Sequence, residues 1–410
     1  MGIACDLTIR FGSAGNSLGY LGGGWARSEP DFTWGIEAES HLVFPRVGAG
    51  DEFILTLDII PFVHPPEVPS QRLIVSVNDT VLGSTNLSRP TLLAYRIPGA
   101  LARRSDRMVV ILQHPDAARP KDFAAADDDR NLAFAVSEVK LHSVTAEANG
   151  NAAVLPPGLM LAPSAEEARG VDDVAAWAAS RAGLSIPEIA MRFESVGENC
   201  EFGLWQRRCD SEPLGLLRFS STFMRNLIRG IDTGFDGLGQ QEDIDPRLEG
   251  TDRKEYMIHE KRYGLVYHTF VYEGQRSVWL MREQESARLK FLRRKFMEEL
   301  DGSEKIFVYK FGSSVTEEEI LPLHMALNKR SPITLLWVVP ARRDRPAGTV
   351  EVLMPGLLKG YIDRFAPDDN AHDLSFEGWL KVCANALVLF RLAGLARGSA
   401  GSAPAAPTGP

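Results

Sequence analysis

The stretch "LAFAVSEVKLH", residues 132 to 142, decides the fold of the N-terminal part of the chain. Its apolar side chains alternate with polar or small ones. The apolar residues fall at even positions up to Val136 and at odd positions from Val139 onward. Alternation with a period of two is typical of a β-strand with one buried face, and a change of phase indicates one extra residue. The stretch therefore predicts a β-strand with a bulge near Ser137.

Similar short apolar runs precede this strand, and clusters of Gly, Pro, Asn and Asp separate them. They are "SHLVFP" (40–45), "EFILTLDIIPFV" (52–63), "RLIVSVND" (72–79), "LLAYRIP" (92–98) and "RMVVILQH" (107–114). Six to eight strands of this length form a sandwich or a jelly roll. The sequence therefore predicts an all-β, jelly-roll-like sandwich over residues 1–145.

The remainder of the chain has a different organisation. Residues 146–172 are rich in Ala, Pro and Gly and predict a linker, and residues 397–410 predict a disordered tail. Between them, residues 173–396 mix helical and strand patterns. Lys305 to Val339 predicts a β-α-β unit, because two apolar strands flank a helical segment. The fold class is multidomain: an N-terminal sandwich followed by an α/β or α+β domain.

Bulk composition excludes several classes of protein. The 410 residues carry a formal net charge of -9, which disfavours binding to nucleic acid, and the basic run Ala287 to Phe296 predicts a solvated helix face. The four cysteines lack C-x-x-C spacing, so they indicate neither a zinc site nor a disulfide framework. No secretory signal and no membrane-spanning apolar stretch is visible. We expect a cytoplasmic protein with no cofactor and no metal site.

One cysteine stands at a position suited to reactivity. In "SVGENCEFGLWQRR", Cys200 precedes a helical pattern, and a helix N-terminus lowers the pKa of a thiol. A nucleophilic thiol also needs a base, for which His268 in the apolar strand "YGLVYHTF" is the candidate. The alternative is that both residues only pack in the core.

The same segments resemble a bacterial family of papain-like cysteine peptidases, itself a domain of unknown function. The resemblance rests on "SVGENCEFGLWQRR", "EPLGLLRF", "YGLVYHTF" and "EKIFVYKF", within residues 190–340. It implies a papain-like domain in which Cys200 is the nucleophile, His268 the general base and Asn199 a donor to the oxyanion; an N-cap role for Asn199 is the alternative. Thr269 departs from the family pattern, where an acidic residue follows the histidine.

The glycine-rich stretch "GYLGGGWARSEPDFTWG", residues 19 to 35, indicates a second kind of site. Aromatic rings beside carboxylates bind sugars, because the C–H face of a pyranose stacks on a ring while acids accept hydroxyl protons. Trp25, Glu29 and Trp34 are the candidates. The alternative is that both tryptophans plug the ends of the sandwich.

This stretch, with "VSVNDTVLG" and "DDDRNLAFAVSEVKL", resembles β-sandwich modules appended to bacterial glycosyltransferases. The resemblance implies that Asp129 and Arg130 join the tryptophans and Glu29 at one carbohydrate-binding face, although the two charged residues also fit a structural ion pair.

Together these features predict a Cys-His thiol hydrolase or acyl transferase in bacterial surface-polysaccharide metabolism. A glycan or a polysaccharide-synthesis enzyme would be the partner. Two alternatives stay open: a non-enzymatic glycan-binding or assembly protein with a catalytically dead papain-like domain, and a sugar or group transferase that uses the β-α-β unit.

Overall fold

A computed structural model describes residues 6–45, 47–48, 50, 52–123, 127–144, 155–162, 173–251, 253–302, 304–311 and 315–400. These residues form two compact units. One contains residues 6–144 together with Thr316–Pro322, and the other contains the remaining described residues.

The first unit is a β-sandwich of two sheets. The five-stranded sheet has the order β1-β9-β4-β7, and β2 also pairs with β9. The four-stranded sheet has the order β3-β8-β5-β6. The strands are β1 (Asp6–Arg10), β2 (Thr33–Ile36), β3 (Glu39–Pro45), β4 (Glu52–Pro61), β5 (Gln71–Val77), β6 (Thr80–Leu87), β7 (Thr91–Pro98), β8 (Arg107–Gln113) and β9 (Leu132–Val144). One short helix, α1 (Gly99–Ala102), and the 3-10 turns Ser17–Gly19 and Pro120–Asp122 lie in the connections.

The core of this unit lies between the sheets. Leu57 and Phe134 of one sheet and Leu42, Val75 and Val110 of the other are fully buried in it. Burial of each such side chain stabilises the fold by roughly 1.5–3 kcal/mol before the entropy cost is subtracted. The sandwich predicted from strand spacing is therefore present.

The predicted bulge in β9 is confirmed. Asp58 of β4 pairs with Glu138, but the next residue, Ile59, pairs with Val136, so Ser137 has no partner on β4. Because the extra residue shifts the alternation by one, side chains before and after it both reach the core.

The second unit contains a six-stranded sheet in the order β10-β18-β19-β17-β16-β11. Strands β11, β16, β17 and β19 are parallel to one another, whereas β18 and β10 are antiparallel to their neighbours. The strands are β10 (Met160–Leu161), β11 (Phe193–Ser195), β16 (Ile306–Lys310), β17 (Thr334–Pro340), β18 (Val350–Met354) and β19 (Leu357–Ile362). The helices of the unit are α2 (Val174–Ala182), α3 (Ile186–Met191), α4 (Glu201–Arg208), α5 (Met224–Asp232), α6 (Val278–Gly302), α8 (Phe376–Ala400) and the part of α7 (Glu317–Asn328) that follows Pro322.

The chain between β11 and β16 forms a second, antiparallel sheet. Its order is β12-β15-β14-β13, formed by β12 (Ser220–Ser221), β13 (Ile244–Glu249), β14 (Glu255–Glu260) and β15 (Val266–Tyr272), with a 3-10 turn at Gln241–Asp243.

Both faces of the six-stranded sheet are covered. Ile306 and Val308 of β16 join a core cluster that also contains Ala178 of α2 and Leu380 of α8. Phe307 points to the other face, where its ring meets Phe296 of α6 at 6.2 Å between ring centres. This arrangement matches the α/β alternative of the prediction, and the β-α-β unit from Lys305 to Val339 is present as β16, α7 and β17. The papain-like fold is not confirmed.

Two predicted boundaries change. Within the predicted linker, Met160–Leu161 pairs with Val350 and Glu351 of β18, because the unpaired backbone groups of an exposed edge accept another strand. At the other end, α8 continues to Ala400, so residues 397–400 of the predicted tail are helical. Residues 401–410 and most of residues 146–172 lie outside the described residues.

Candidate functional site

Strand β2 presents an aromatic side chain on the outer face of the five-stranded sheet. Thr33 is fully buried, and a side-chain carbon at Gly35 would collide with the core, so both positions face inward. Trp34 between them therefore faces outward, since side chains alternate along a strand. The Trp34 ring lies edge-on to Phe32 at 5.7 Å and to Phe62 at 6.5 Å between ring centres, and all three are half-buried. We call these three residues the aromatic strip.

Charged side chains lie beside the strip. Arg130 donates hydrogen bonds from Nε and Nη2 to the carboxylate of Asp128, and its Nη1 lies 3.4 Å from Oε1 of Glu29. Glu29 is tied to the strip because its backbone N–H donates to the carbonyl of Phe32 at 2.9 Å. We call Glu29, Asp128 and Arg130 the charged cluster.

The electrostatics of the charged cluster follow from these hydrogen bonds. The Arg130 guanidinium lowers the pKa of the Asp128 carboxyl, and the bond to Asp128 in turn raises the pKa of Arg130. Asp128 and Arg130 therefore carry opposite charges at neutral pH. About a third of the side chains of Arg130 and Glu29 remains exposed, so both can still meet a ligand.

Sequence reasoning placed Trp25, Glu29, Trp34, Asp129 and Arg130 at one face. The structure pairs Arg130 with Glu29, and Glu29 bonds to Phe32, whose ring contacts Trp34. Asp129 points elsewhere: its side chain is 77% exposed and lies 3.4 Å from Nζ of Lys121. Asp128 takes the place expected for Asp129. The sequence does hold a signal for Phe32, which is two residues before Trp34 and must share its face in a strand. Asp128 follows no periodic pattern, because it lies in a loop.

Trp25 has a different environment. Its indole Nε1 donates to the carbonyl of His41 at 2.8 Å, and its ring packs against Phe11 at 5.3 Å and Phe134 at 6.5 Å between ring centres. The ring therefore closes the end of the sandwich core, as in the alternative raised for the tryptophans.

The strip and the charged cluster combine two chemistries on one surface. Aromatic rings offer flat apolar faces, while the carboxylates accept and the guanidinium donates hydrogen bonds. Convergence of a few such polar groups on an apolar surface is typical of small-molecule and sugar sites.

In the second unit, Cys200 lies where β11 leads into α4. It is half-buried, with a backbone φ of -76° at the N-terminal end of the helix. Burial raises the pKa of the Cys200 thiol, and the nearby positive charge of Lys310 opposes this only in part. A helix N-terminus was expected to lower this pKa, but desolvation of the thiolate is the larger effect here.

His268 lies on β15 of the antiparallel sheet, and its side chain is 56% exposed. The alternative that His268 packs in the core is therefore wrong. Its Nδ1 is 3.2 Å from Oε2 of Glu255, and its ring stacks on Phe270. Among the described residues, no hydrogen bond joins His268 to Cys200.

Asn199 engages the start of α4. Its side-chain Oδ1 accepts a hydrogen bond from the backbone N–H of Glu201 at 3.0 Å. This contact satisfies one of the free N–H groups of the first helical turn. Because Cys200 is the N-cap residue, Asn199 supports the start of the helix from the position before the cap.

A buried ion pair lies next to Cys200. Nζ of Lys310 donates to Oε2 of Glu201 at 2.6 Å, and Nε1 of Trp379 donates to the other oxygen of Glu201 at 2.9 Å. Both charged side chains are almost completely buried. This pair fixes the first turn of α4 against β16 and α8.

Two negative findings concern the described part of the chain. It contains no group of three or more His, Cys, Asp or Glu side chains arranged to hold a metal ion. None of its helices has the length and apolar character needed to cross a bilayer.

No family model matches the chain, and no curated protein matches it either. Solved structures resemble its N-terminal third. The CBM36-1 domain of a multidomain xylanase from the hindgut metagenome of Trinervitermes trinervoides matches 34% of this chain and 98% of that domain, with 10% identity and a TM-score of 0.22. The C-terminal CBM6 of a marine laminarinase from Zobellia galactanivorans matches 34% of this chain and 99% of that domain, with 10% identity and a TM-score of 0.22.

The CBM22-2 xylan-binding domain of an enzyme from Paenibacillus barcinonensis matches 34% of this chain and 99% of that domain, with 11% identity and a TM-score of 0.24.

Proposed function

We propose that the N-terminal sandwich binds a saccharide chain on the surface formed by the aromatic strip and the charged cluster. The observation that carries this proposal is the outward-facing, partly exposed ring of Trp34 beside the Arg130–Glu29 pair. A sugar ring stacks its C–H face on the indole, and its hydroxyl groups exchange hydrogen bonds with the guanidinium and the carboxylates.

The geometry supports binding better than thiol catalysis. A thiol hydrolase needs a thiolate and an adjacent base. Burial raises the pKa of Cys200, and His268 is an exposed residue bonded to Glu255. We therefore favour a glycan-binding or assembly protein over a Cys-His hydrolase. A role in surface-polysaccharide metabolism and a cytoplasmic location stay predictions.

Titration of the full-length protein with neutral oligosaccharides tests the proposal. Xylohexaose, laminarihexaose, cellohexaose and mannohexaose are titrated by calorimetry into wild type and Trp34→Ala. We expect at least one hexaose to bind wild type and Trp34→Ala to bind it at least tenfold more weakly, because a stacked ring contributes about 1–3 kcal/mol.

The matched control is Trp279→Ala, which removes a 69% exposed tryptophan from the start of α6 in the other unit. This variant should bind like wild type. Failure of all four hexaoses to bind wild type, or equal binding by Trp34→Ala, would contradict the proposed function.

A further inference from the structure

The five-stranded sheet has a gap along one edge of β9. β1 pairs with Glu138 and the residues that follow it, whereas β2 pairs with Val136 and the residues before it. Ser137, the bulged residue, lies between them, and its carbonyl accepts a hydrogen bond from the N–H of Phe11 at 2.9 Å. The bulge therefore separates two strands that share one edge.

An open cavity of about 410 Å³ lies at this gap. The apolar part of its wall includes Phe11, Ala14 and Pro30. Pro30 directly follows Glu29 of the charged cluster, and the next wall residue, Asp31, directly precedes Phe32 of the aromatic strip. The cavity thus adjoins both parts of the surface described above.

The polar part of the wall is rich in hydrogen-bond acceptors. Asp58 Oδ2 accepts a hydrogen bond from the Ser137 hydroxyl at 2.7 Å. Glu138 and Asp31 add two further carboxylates, and Arg10 adds one guanidinium, whose Nε lies 3.8 Å from Oε2 of Glu138. Lys140 also contacts the Glu138 carboxylate, so three carboxylates and two cations leave the wall with a net negative charge.

We propose that this cavity receives a single uncharged sugar unit, at a chain end or a branch, of the saccharide bound by the strip, and that it rejects uronic acids. The inference rests on the proposed function. Volumes of about 300–1,000 Å³ are usual for sites that enclose small ligands, and an apolar floor with several polar groups suits the two faces of a sugar ring. Carboxylates accept hydrogen bonds from sugar hydroxyls but repel the carboxylate of a uronic acid.

The test uses the neutral hexaose that binds wild type best, with hexagalacturonate as the anionic probe. Ala14→Phe fills the cavity from an exposed position without changing its charge. Asp58→Asn retains the shape of the wall and an acceptor for Ser137 while removing one negative charge. Asp106→Asn, in the turn before β8, is the matched control for loss of a carboxylate.

We expect Ala14→Phe to weaken hexaose binding at least tenfold and Asp58→Asn to weaken it about fivefold, while Asp106→Asn binds like wild type. Hexagalacturonate should bind wild type at least tenfold more weakly than the hexaose does. The inference is overturned if Trp34→Ala loses binding while both cavity variants retain it, or if hexagalacturonate binds as well as the hexaose. If wild type binds none of the hexaoses, the proposed function itself is overturned. The proposal for the cavity then falls as well, because it depends on saccharide binding.

Discussion

Arg130 Nη1 lies 3.4 Å from Glu29 Oε1, although 101 residues separate the two in the sequence. The contact joins the loop before β2 to the loop before β9, beside the aromatic strip. Because Arg130 also holds Asp128, one guanidinium orders both carboxylates that would face a ligand.

Arg130→Ala should weaken oligosaccharide binding about tenfold, because a hydrogen bond to a charged group contributes about 1.5–3 kcal/mol. Its effect on the free energy of unfolding should stay below about 1 kcal/mol, since the pair is partly exposed and screened by solvent. Asp129→Ala is the matched control at the adjacent residue, and it should change neither quantity. Calorimetry measures the affinity, and urea unfolding measures the free energy of unfolding. A larger loss of affinity in Asp129→Ala than in Arg130→Ala would show that Asp129, and not Asp128, belongs to the binding surface.

Trp25→Ala should destabilise the protein without weakening saccharide binding. The substitution removes the hydrogen bond to His41 and the packing on Phe11 and Phe134, at a cost of about 2–4 kcal/mol in the free energy of unfolding. Urea unfolding measures this cost, and binding is compared below the unfolding transition. If folded Trp25→Ala binds the saccharide more weakly than wild type, Trp25 belongs to the binding surface after all.

Cys200 should react slowly with iodoacetamide at neutral pH. Because burial raises the pKa of the thiol, the thiolate population should grow only above about pH 9. His268→Ala should leave the rate within about twofold of wild type. Alkylation is followed by mass spectrometry, with the buried Cys383 as an unreactive control. Fast alkylation below pH 7 that depends on His268 would restore the catalytic pair.

Lys310→Met should be strongly destabilising, by about 3–5 kcal/mol, because it leaves the Glu201 carboxylate buried without its partner. Adding Glu201→Gln to that variant should recover much of the loss, since Gln keeps an acceptor for Trp379 and carries no charge. Lys329→Met is the control at an exposed ion pair and should cost less than about 1 kcal/mol. Equal losses in the two single variants, measured by urea unfolding, would contradict this account.

The contribution of Glu194 to the stability of the second unit should fall as the pH rises from about 4.5 to 7. Burial raises the pKa of Glu194 to about 7, which the positive charge of Lys305 only partly offsets. The folded state therefore holds a proton on Glu194 that the unfolded state loses near pH 4.5, and the stability from that proton is lost as pH passes the folded pKa.

Glu194→Gln removes this dependence. Relative to wild type, the variant should gain on the order of 1–3 kcal/mol between pH 5 and pH 8. Urea unfolding at the two pH values measures the change, with Glu299→Gln as a control at the partly exposed carboxylate that also contacts Lys305. A constant difference between Glu194→Gln and wild type at both pH values would contradict the assignment.

Local patterns predicted the strands well, because alternation reports which face of a strand is buried. The bulge at Ser137 and the unit from β16 to β17 are visible in the sequence for that reason. The charged cluster was only partly visible, since the choice between Asp128 and Asp129 depends on how a loop folds. The sequence could not show that Cys200 is half-buried and His268 exposed, because the exposure of each side chain depends on segments that are distant in the sequence.

The two outer strands of the six-stranded sheet are short: β10 has two residues and β11 has three. Outer strands expose unpaired N–H and C=O groups that can recruit strands from other chains. The longer strands β16, β17 and β19 all lie inside the sheet, where neighbours on both sides occupy those groups. Among the described residues, the two outer strands of this sheet thus offer only five residues as a template for strand addition.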